Sequence, residues 1–407
     1  MTKIKLIQTH EYDKINYKDL GISRNQAQQF KIFLLQKGLS KALDFQLDYI
    51  CTNSYVGTIK YKDFQLNILP KILGDKDSDC LKNLTFMLKY TNKLTIHNIN
   101  FAQLERLSNN PFLEFLIAHY AKILLDTLNL HIPHHYESYE DNLPTIKGRI
   151  LFSKHFKVNC ANQAKTYCQF DEFTPNNLLN QTLKFVAHAL AQLTKVKETR
   201  NKLLKILAIY DDVELKTISY SQTKKILLNK NQIRFKDSLD LAKLFLQHST
   251  ISLHDHHFNN LAILFDMNLL FEEFVAVALD KIFPGKVQIQ ARHTIIKDIA
   301  GLPNTSYTIK PDILLGINTI IDTKYKILDL PERKPAESDI YQMLAYSKFY
   351  ERKNIILCYP VYKQHYNKKT TILKDDKCHI SLITLDLHQR LTDSFVKELF
   401  YNAFNAF

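Results

Sequence analysis

The chain has 407 residues, 45% of them hydrophobic and 23% charged. That length accommodates two domains, and the balance excludes wholesale disorder, a collagen-like repeat and a disulfide miniprotein. Fifty-four Lys and Arg against 41 Asp and Glu leave a formal charge of +13, which points to a polyanionic partner, nucleic acid ahead of a membrane surface, with a basic bias of the proteome as the alternative.

The N-terminus, Met1-Thr2-Lys3-Ile4-Lys5, is too charged for a signal peptide. The spacing predicts a helix over Arg24 to Lys37, stopped by Gly38. Tyr55 to Lys60 and Phe64 to Leu69 flank the polar turn Tyr61-Lys62-Asp63. Phe64, Leu66 and Ile68 alternate with polar neighbours, which predicts a half-buried strand, and Pro70 ends it because it cannot donate to a ladder. Helices are predicted over Cys80 to Tyr90 and Asn110 to Leu128. Residues 132 to 171, with Pro133, Pro144 and Gly148, read as a loop-rich crossing and place a domain boundary near residue 150.

Asn177 to about Asp212 and Asp237 to Gln247 are helical by pattern. Between Lys147 and Lys236 stand 17 Lys and Arg against 6 Asp and Glu, a local net of +11. Such a segment neutralises phosphates and binds in a salt-dependent manner, with Lys195, Lys197, Arg200, Lys202 and Lys205 as candidate DNA contacts. A solvated helical surface is the alternative.

From Asn259 the rhythm changes. Asn259 to Phe283 reads as one long helix ended by Pro284-Gly285, and Val287 to Ala291 as a strand. Tyr307 to Leu315 and Thr319 to Tyr325 read as two strands around Gly316-Ile317-Asn318. Ala336 to Tyr350 is a predicted helix; Ile355 to Tyr359 and Ile380 to Leu385 are predicted strands. The expected fold class is α/β (α+β). A β-rich N-terminal domain with helices spans 1–150, a helical basic linking region spans 151–258, and a C-terminal domain with a mixed sheet spans 259–407.

One constellation in the last domain carries chemistry. Asp312 lies five residues before the turn centre at Ile317 and Asp322 five after it. In a symmetric antiparallel hairpin those positions oppose each other, with Cβ atoms roughly 4.5–5.5 Å apart. Two carboxylates that close repel unless a cation or a proton lies between them, and Mg²⁺ suits the pair because it keeps waters for chemistry. Asp322 and Lys324, two apart on a strand, share a face, with Thr323 pointing away. Lys324 is placed to stabilise developing negative charge or to orient a water. Glu272 falls on the apolar stripe of the predicted helix and would complete the metal site, with Glu273 competing for that role. Gln342 and Tyr346, spaced i, i+4, share a helix face and could hold DNA or the lysine; an ordinary amphipathic face is the alternative.

These residues carry a resemblance. Helix, strand, strand with Pro311-Asp312, then Asp322-Thr323-Lys324, then a helix with Gln342 and Tyr346 resembles the PD-(D/E)xK nuclease fold. More narrowly, Phe265-Asp266-Met267, Leu270-Phe271-Glu272, Pro311-Asp312-Ile313, Ile321 to Lys326 and Tyr341 to Tyr346 are similar to the McrC family. Val56-Gly57-Thr58-Ile59, Leu66 to Ile72, Gly148-Arg149-Ile150 and Cys168 to Phe173 with Asn177 and Asn180 extend the likeness over nearly the whole chain.

The resemblance implies the nuclease subunit of a McrBC-type restriction system, which cuts DNA carrying modified cytosines. It implies catalysis by Asp312, Asp322, Lys324, Glu272, Gln342 and Tyr346, with Mg²⁺ on Asp312, Asp322 and Glu272. It also implies a McrB-like hexameric AAA+ GTPase partner, stimulated by the N-terminal domain. Alternatives are a non-catalytic activator of that motor and a stand-alone repair nuclease. The chain has no G-x-x-x-x-G-K-[ST] phosphate loop of its own.

Other constellations are weaker. His254-Asp255-His256-His257 and His134-His135 are adjacent histidines that cannot all face one ion. The cysteines at 51, 80, 160, 168, 358 and 378 form no C-x-x-C, and no apolar run approaches the roughly 18 residues of a membrane span. A cytoplasmic protein with reduced thiols and no membrane partner is expected.

Overall fold

The computed structural model describes residues 5–74, 76–94, 111–161, 164–251, 258–299, 302–326, 335–361, 369–374 and 378–405. They form two compact units, Met1–Phe112 with Ala262–Phe407, and Leu113–Leu261. The three consecutive segments expected at 1–150, 151–258 and 259–407 are therefore partitioned differently. The chain leaves the first unit after Phe112 and returns to it at Ala262, so residues near the N-terminus share a compact unit with the C-terminal sheet.

The first unit starts with β1 (Lys5–His10). Helix α1 (Arg24–Gln36) follows, opened by a Ser23–Gln26 capping box, and Gly38 beyond its end has φ +71°. The predicted hairpin is β2 (Tyr55–Tyr61) and β3 (Phe64–Leu69). β3 is buried on both faces rather than half-buried: Phe64, Leu66 and Ile68 pack into the core that holds Phe30 and Phe33 of α1, and Gln65, Asn67 and Leu69 on the other face are buried too, while β1 pairs in parallel along one edge and β2 antiparallel along the other. Thr58 Oγ1 of β2 and Gln65 Nε2 both donate to Asn67 Oδ1, at 3.0 and 3.3 Å, while Asn67 Nδ2 has no hydrogen-bond partner among the described residues. Helix α2 (Asp77–Tyr90) follows.

The long helix expected from Asn259 is instead β4 (Phe258–Asp266) followed by α3 (Met267–Ile282). β4 continues the sheet beside β2, in the order β1-β3-β2-β4. A short continuous apolar run does not distinguish a buried strand from a helix. The junction is marked by Asp266, which caps α3 by accepting from Asn268 N at 2.9 Å. Gly57 makes the pairing feasible: a Cβ there would sit 2.2 Å from the Ile263 carbonyl oxygen, and its φ is +137°.

The C-terminal sheet comprises β5 (Val287–Ile289), β6 (Ile313–Leu315), β7 (Thr319–Thr323), β8 (Asn354–Pro360), β9 (Lys369–Lys374) and β10 (His379–Leu385). Their order is β5-β6-β7-β8-β10-β9. β7, β8 and β10 are parallel, and the pairs flanking them are antiparallel. α4 (Glu337–Tyr350) connects β7 to β8, and α5 (Asp393–Phe404) closes the unit. The strand predicted over 307–315 is broken. Leu302–Ile309 pairs in a separate ribbon with His293–Ile299, Lys310-Pro311-Asp312 is irregular, and β6 begins at Ile313. Pro311 has no N–H to continue a ladder.

Within this unit the two ends of the chain interlock. Asn83 on α2 donates through Nδ2 to the carbonyls of Leu73, Leu387 and Gln389 at 2.8, 3.0 and 2.9 Å, and its Oδ1 accepts from Leu391 N at 3.0 Å. Lys93 pairs with Glu273 at 2.9 Å, and Lys281 lies 3.5 Å from the centre of the Tyr90 ring.

The second unit contains helices Leu178–Leu193, Lys197–Ile209 and Lys236–Gln247 and most of Pro111–Leu128. Glu114 fixes the corner between the first two by accepting from Thr194 Oγ1 at 2.5 Å and Lys195 N at 2.8 Å. The loop-rich crossing expected at 132–171 is a ribbon, His135–Leu143 antiparallel to Thr166–Thr174, with Arg149–Ile150 added at its edge. It escapes pattern reading because the half-buried face of its first strand begins His135, Glu137, Tyr139, so burial alternates there without an apolar alternation in the sequence.

Candidate active site

The hairpin register sets the site. Ile313 pairs with Ile321, Leu314 with Ile320 and Leu315 with Thr319. One step beyond the Ile313–Ile321 pair, the same register brings Asp312 opposite Asp322, as the symmetry about Ile317 predicts. Asp322 is 2% exposed. Burial, then the charge of Asp312, pushes its carboxyl up to about 7, even with the Lys324 ammonium 2.6 Å from Oδ2.

Lys324 is anchored twice. Its backbone N–H donates to the Cys358 carbonyl at 2.8 Å, and Nζ donates to Gln342 Oε1 at 3.1 Å. Gln342 Nε2 in turn donates to Tyr346 OH at 2.6 Å, whose hydroxyl donates to the Lys310 carbonyl at 3.1 Å. The i, i+4 pair on α4 is thus a hydrogen-bonded relay to the lysine. Burial works against the Lys324 charge, but Asp322, Asp339 and Asp312 more than offset it, and its pKa lies above the ordinary lysine value. The residue is a fixed cation, unsuited to act as a general base. Burial, then Asp322, raises the Tyr346 phenol, so it stays neutral and acts as a donor.

Thr323 was expected to point away from the site, yet its backbone N–H and Oγ1 both donate to Asp312 Oδ2, at 2.7 and 2.8 Å. Because Asp312 sits in the irregular segment before β6, its carboxylate reaches diagonally to the next residue of β7. Asp339 is a further neighbour that sequence reasoning missed. It lies one helical turn before Gln342, is 5% exposed, and accepts from Lys326 Nζ at 3.2 Å and Tyr359 OH at 3.0 Å. The Asp339, Gln342, Tyr346 spacing was its only signal.

The two glutamates separate. Glu273 is paired with Lys93. Glu272 accepts from Gln290 Nε2 at 2.9 Å, and burial, together with the field of Asp312, raises its pKa. Among the described residues no group of three His, Cys, Asp or Glu converges to hold a metal ion, while Glu272 lies near enough to Asp312 to feel its charge. Asp312 and Asp322 are hard oxygen donors, and ionised together they carry one more charge than Lys324 relieves. That set fits Mg²⁺, which binds through one or two carboxylates and fills its remaining positions with water and phosphate oxygens.

The five basic candidates lie in the second unit. Lys195, Lys197, Arg200 and Lys205 are exposed, and Lys202 pairs with Glu198 at 2.9 Å. His134 and His135 bond separate carbonyls, those of Ile132 and Thr174, at 2.9 and 3.2 Å. His254, Asp255, His256 and His257 lie outside the described residues. None of the six cysteines forms a disulfide among the described residues, and no helix among the described residues is long and apolar enough to cross a membrane.

A mixed sheet that presents two opposed aspartates and a tethered lysine at its hairpin defines the class of site. Residues 50–360 match the model of the McrBC 5-methylcytosine restriction system component, and the chain belongs to that family. The fold agrees. A chain of the refined half-complex from a tetradecameric assembly of Thermococcus gammatolerans McrB AAA+ hexamers with bound McrC superposes with a TM-score of 0.78 at 18% identity, covering 99% of this chain and 100% of that one. A chain of the cryo-EM structure of the Thermococcus gammatolerans McrBC complex gives 0.53 at 20% identity, covering 68% and 87%. No curated protein matches the chain.

Proposed function

We propose that this chain is the Mg²⁺-dependent DNA endonuclease subunit of a modified-cytosine restriction complex, working in the cytoplasm with a McrB-like hexameric AAA+ GTPase. The observation that carries the reading is the opposed pair Asp312 and Asp322 with Lys324 held beside it. Asp312 and Asp322 would hold the ion. Bound there, Mg²⁺ would neutralise charge on the scissile phosphate and acidify the attacking water.

The chain's own groups do the rest. Thr323 fixes the Asp312 carboxylate through two donors, so it is orientated before any ligand arrives. Lys324, a permanent cation on a short tether, meets negative charge as it develops on the phosphate. Gln342 and Tyr346 hold that ammonium in place, which spares it reorganisation during reaction.

For the motor partner, the expected segment 1–150 needs revision. Residues 1–112 share a unit with the C-terminal sheet, and a 1–150 fragment would lose both β4, which pairs with β2, and the partner strand of the ribbon. We assign the motor contact to the ribbon of the second unit. Tyr136 and Phe173 on its strands, and Phe152 and Phe156 on the short helix Phe152–Val158 between them, are 60–73% exposed, apolar surface that a partner would cover. The basic helix Lys197–Ile209 of the same unit is assigned to duplex phosphates.

The test mixes the purified chain with the AAA+ protein encoded beside its gene and supplies plasmid with methylated or unmethylated cytosine, Mg²⁺ or chelator, and GTP or ATP. Cleavage confined to methylated plasmid with Mg²⁺ and a hydrolysable nucleotide is expected. Stimulated nucleotide hydrolysis without any cleavage would make the chain a non-catalytic activator.

A further inference from the structure

Away from the carboxylate pair, one acid of the first unit is fully buried among the described residues. Glu11, just after β1, is 0% exposed. Its backbone N–H donates to the Leu69 carbonyl at 3.1 Å. Its Oε2 accepts from the Lys71 backbone N–H at 3.0 Å and from the Tyr325 hydroxyl at 2.9 Å, while Oε1 has no hydrogen-bond partner among the described residues. An acid placed there costs stability unless hydrogen bonds or protonation offset its burial. Tyr325, itself 2% exposed, directly follows Lys324 at the end of β7, and its ring packs on Phe271 of α3 with centroids 5.9 Å apart. Phe271 is the neighbour of Glu272. A single carboxyl from the N-terminal strand therefore touches the residue that joins the lysine strand to α3.

We propose that Glu11 is a positioning residue for Lys324: anchored on the β3 exit, it takes the Tyr325 hydroxyl and pins the end of the strand that carries the lysine. The inference rests on the nuclease reading for its consequence in catalysis, and on geometry alone for the positioning. Burial pushes the Glu11 carboxyl up to about 8, against which Lys71 and the Tyr325 hydrogen bond pull down and the nearby Asp266 pushes further up. At neutral pH the group is mostly the neutral acid. Its function as an acceptor is then one that a glutamine amide oxygen can replace, and an alanine cannot.

The experiment uses the full chain with its motor and three variants, Glu11→Gln, Glu11→Ala and Tyr325→Phe. Two quantities are read: kcat and KM for plasmid cleavage, and amide hydrogen exchange at Lys324, whose N–H is bonded to Cys358. Glu11→Gln should match the wild type in both. Glu11→Ala and Tyr325→Phe should lose on the order of 10- to 100-fold in kcat with KM unchanged, and exchange at Lys324 should quicken by about tenfold as the strand end opens more often. If Glu11→Ala does not fold, Tyr325→Phe decides, since it keeps the ring on Phe271 and removes only the hydrogen bond. Wild-type kcat and exchange in Tyr325→Phe would overturn the proposal, as would a Glu11→Gln chain as impaired as Tyr325→Phe. A wild-type complex that cleaves nothing would refute the nuclease reading instead, and the exchange rates would still decide whether Glu11 pins the strand.

Discussion

The two units of this chain use charge in opposite ways. In the first, a few ionisable groups are buried or half-buried and each is tied to a named partner: Asp322 to Lys324, Lys324 to Gln342, Asp312 to Thr323. In the second, Lys195, Lys197, Arg200 and Lys205 stand exposed along one helix and its approach. Buried charges interact strongly and depend on orientation, so removing one should act as a switch. Exposed charges are screened and act as a sum, so removing one should act as a small increment. Charge alone therefore does not locate function in this protein; burial does.

The comparison can be broken most visibly at the lysine. Lys324→Ala should lower the cleavage rate by roughly 10²–10³ while leaving Mg²⁺ binding measurable by calorimetry, because a stabilising cation is lost and the carboxylates remain. Equal losses of metal affinity and rate would place Lys324 in the metal site rather than beside it.

The carboxylate pair makes a claim about pH. The folded pKa of Asp322 is raised above its ordinary value of 3.8 to about 7. The folded chain therefore holds a proton that the unfolded chain has already released. Stability should fall as pH rises through that window. Metal-free thermal melts at about pH 5 and about pH 8 should show the fall, Asp322→Asn should flatten it, and Mg²⁺ should raise the melting temperature more at the higher pH, where the site is ionised. A wild-type melt indifferent to pH across that range would contradict the burial argument. Glu11, raised in the same direction, contributes with the same sign and is separated by the Glu11→Gln variant.

Between these switches and the increments lies a packing prediction. Gly57→Ala forces a methyl group against the Ile263 carbonyl at a strained φ and should destabilise the first unit by about 1–3 kcal/mol in denaturant melts. The smallest effects belong to the second unit. Each of Lys195, Lys197, Arg200 and Lys205 that touches a phosphate should, when neutralised, lower the salt slope of duplex binding by about 0.9. Lys202, already paired with Glu198, should matter least. A slope unchanged after all four substitutions would take that helix out of the DNA path.

The hairpin was legible in the sequence because its turn is tight and symmetric, so counting from Ile317 was enough to oppose Asp312 and Asp322. Helices with caps were legible for a related reason: Ser23 and Gly38 act within a few residues of the element they bound. What failed depended on distant partners. Residues 258–266 become a strand only because β2 lies beside them with a glycine at the contact. Thr323, Asp339 and Glu11 acquire their roles from residues 11, 13 and 20, and 314 positions away. Glu272 and Glu273 are told apart only by partners far along the chain, Gln290 and Lys93.

The measurement that tests the central claim most directly is cleavage of methylated plasmid by the Asp322→Ala chain in complex with its motor, with nucleotide hydrolysis followed in the same tube. The account predicts hydrolysis at the wild-type rate and no cleavage above background, because the buried half of the carboxylate pair is gone while the second unit is intact. Wild-type cleavage by that variant would contradict it.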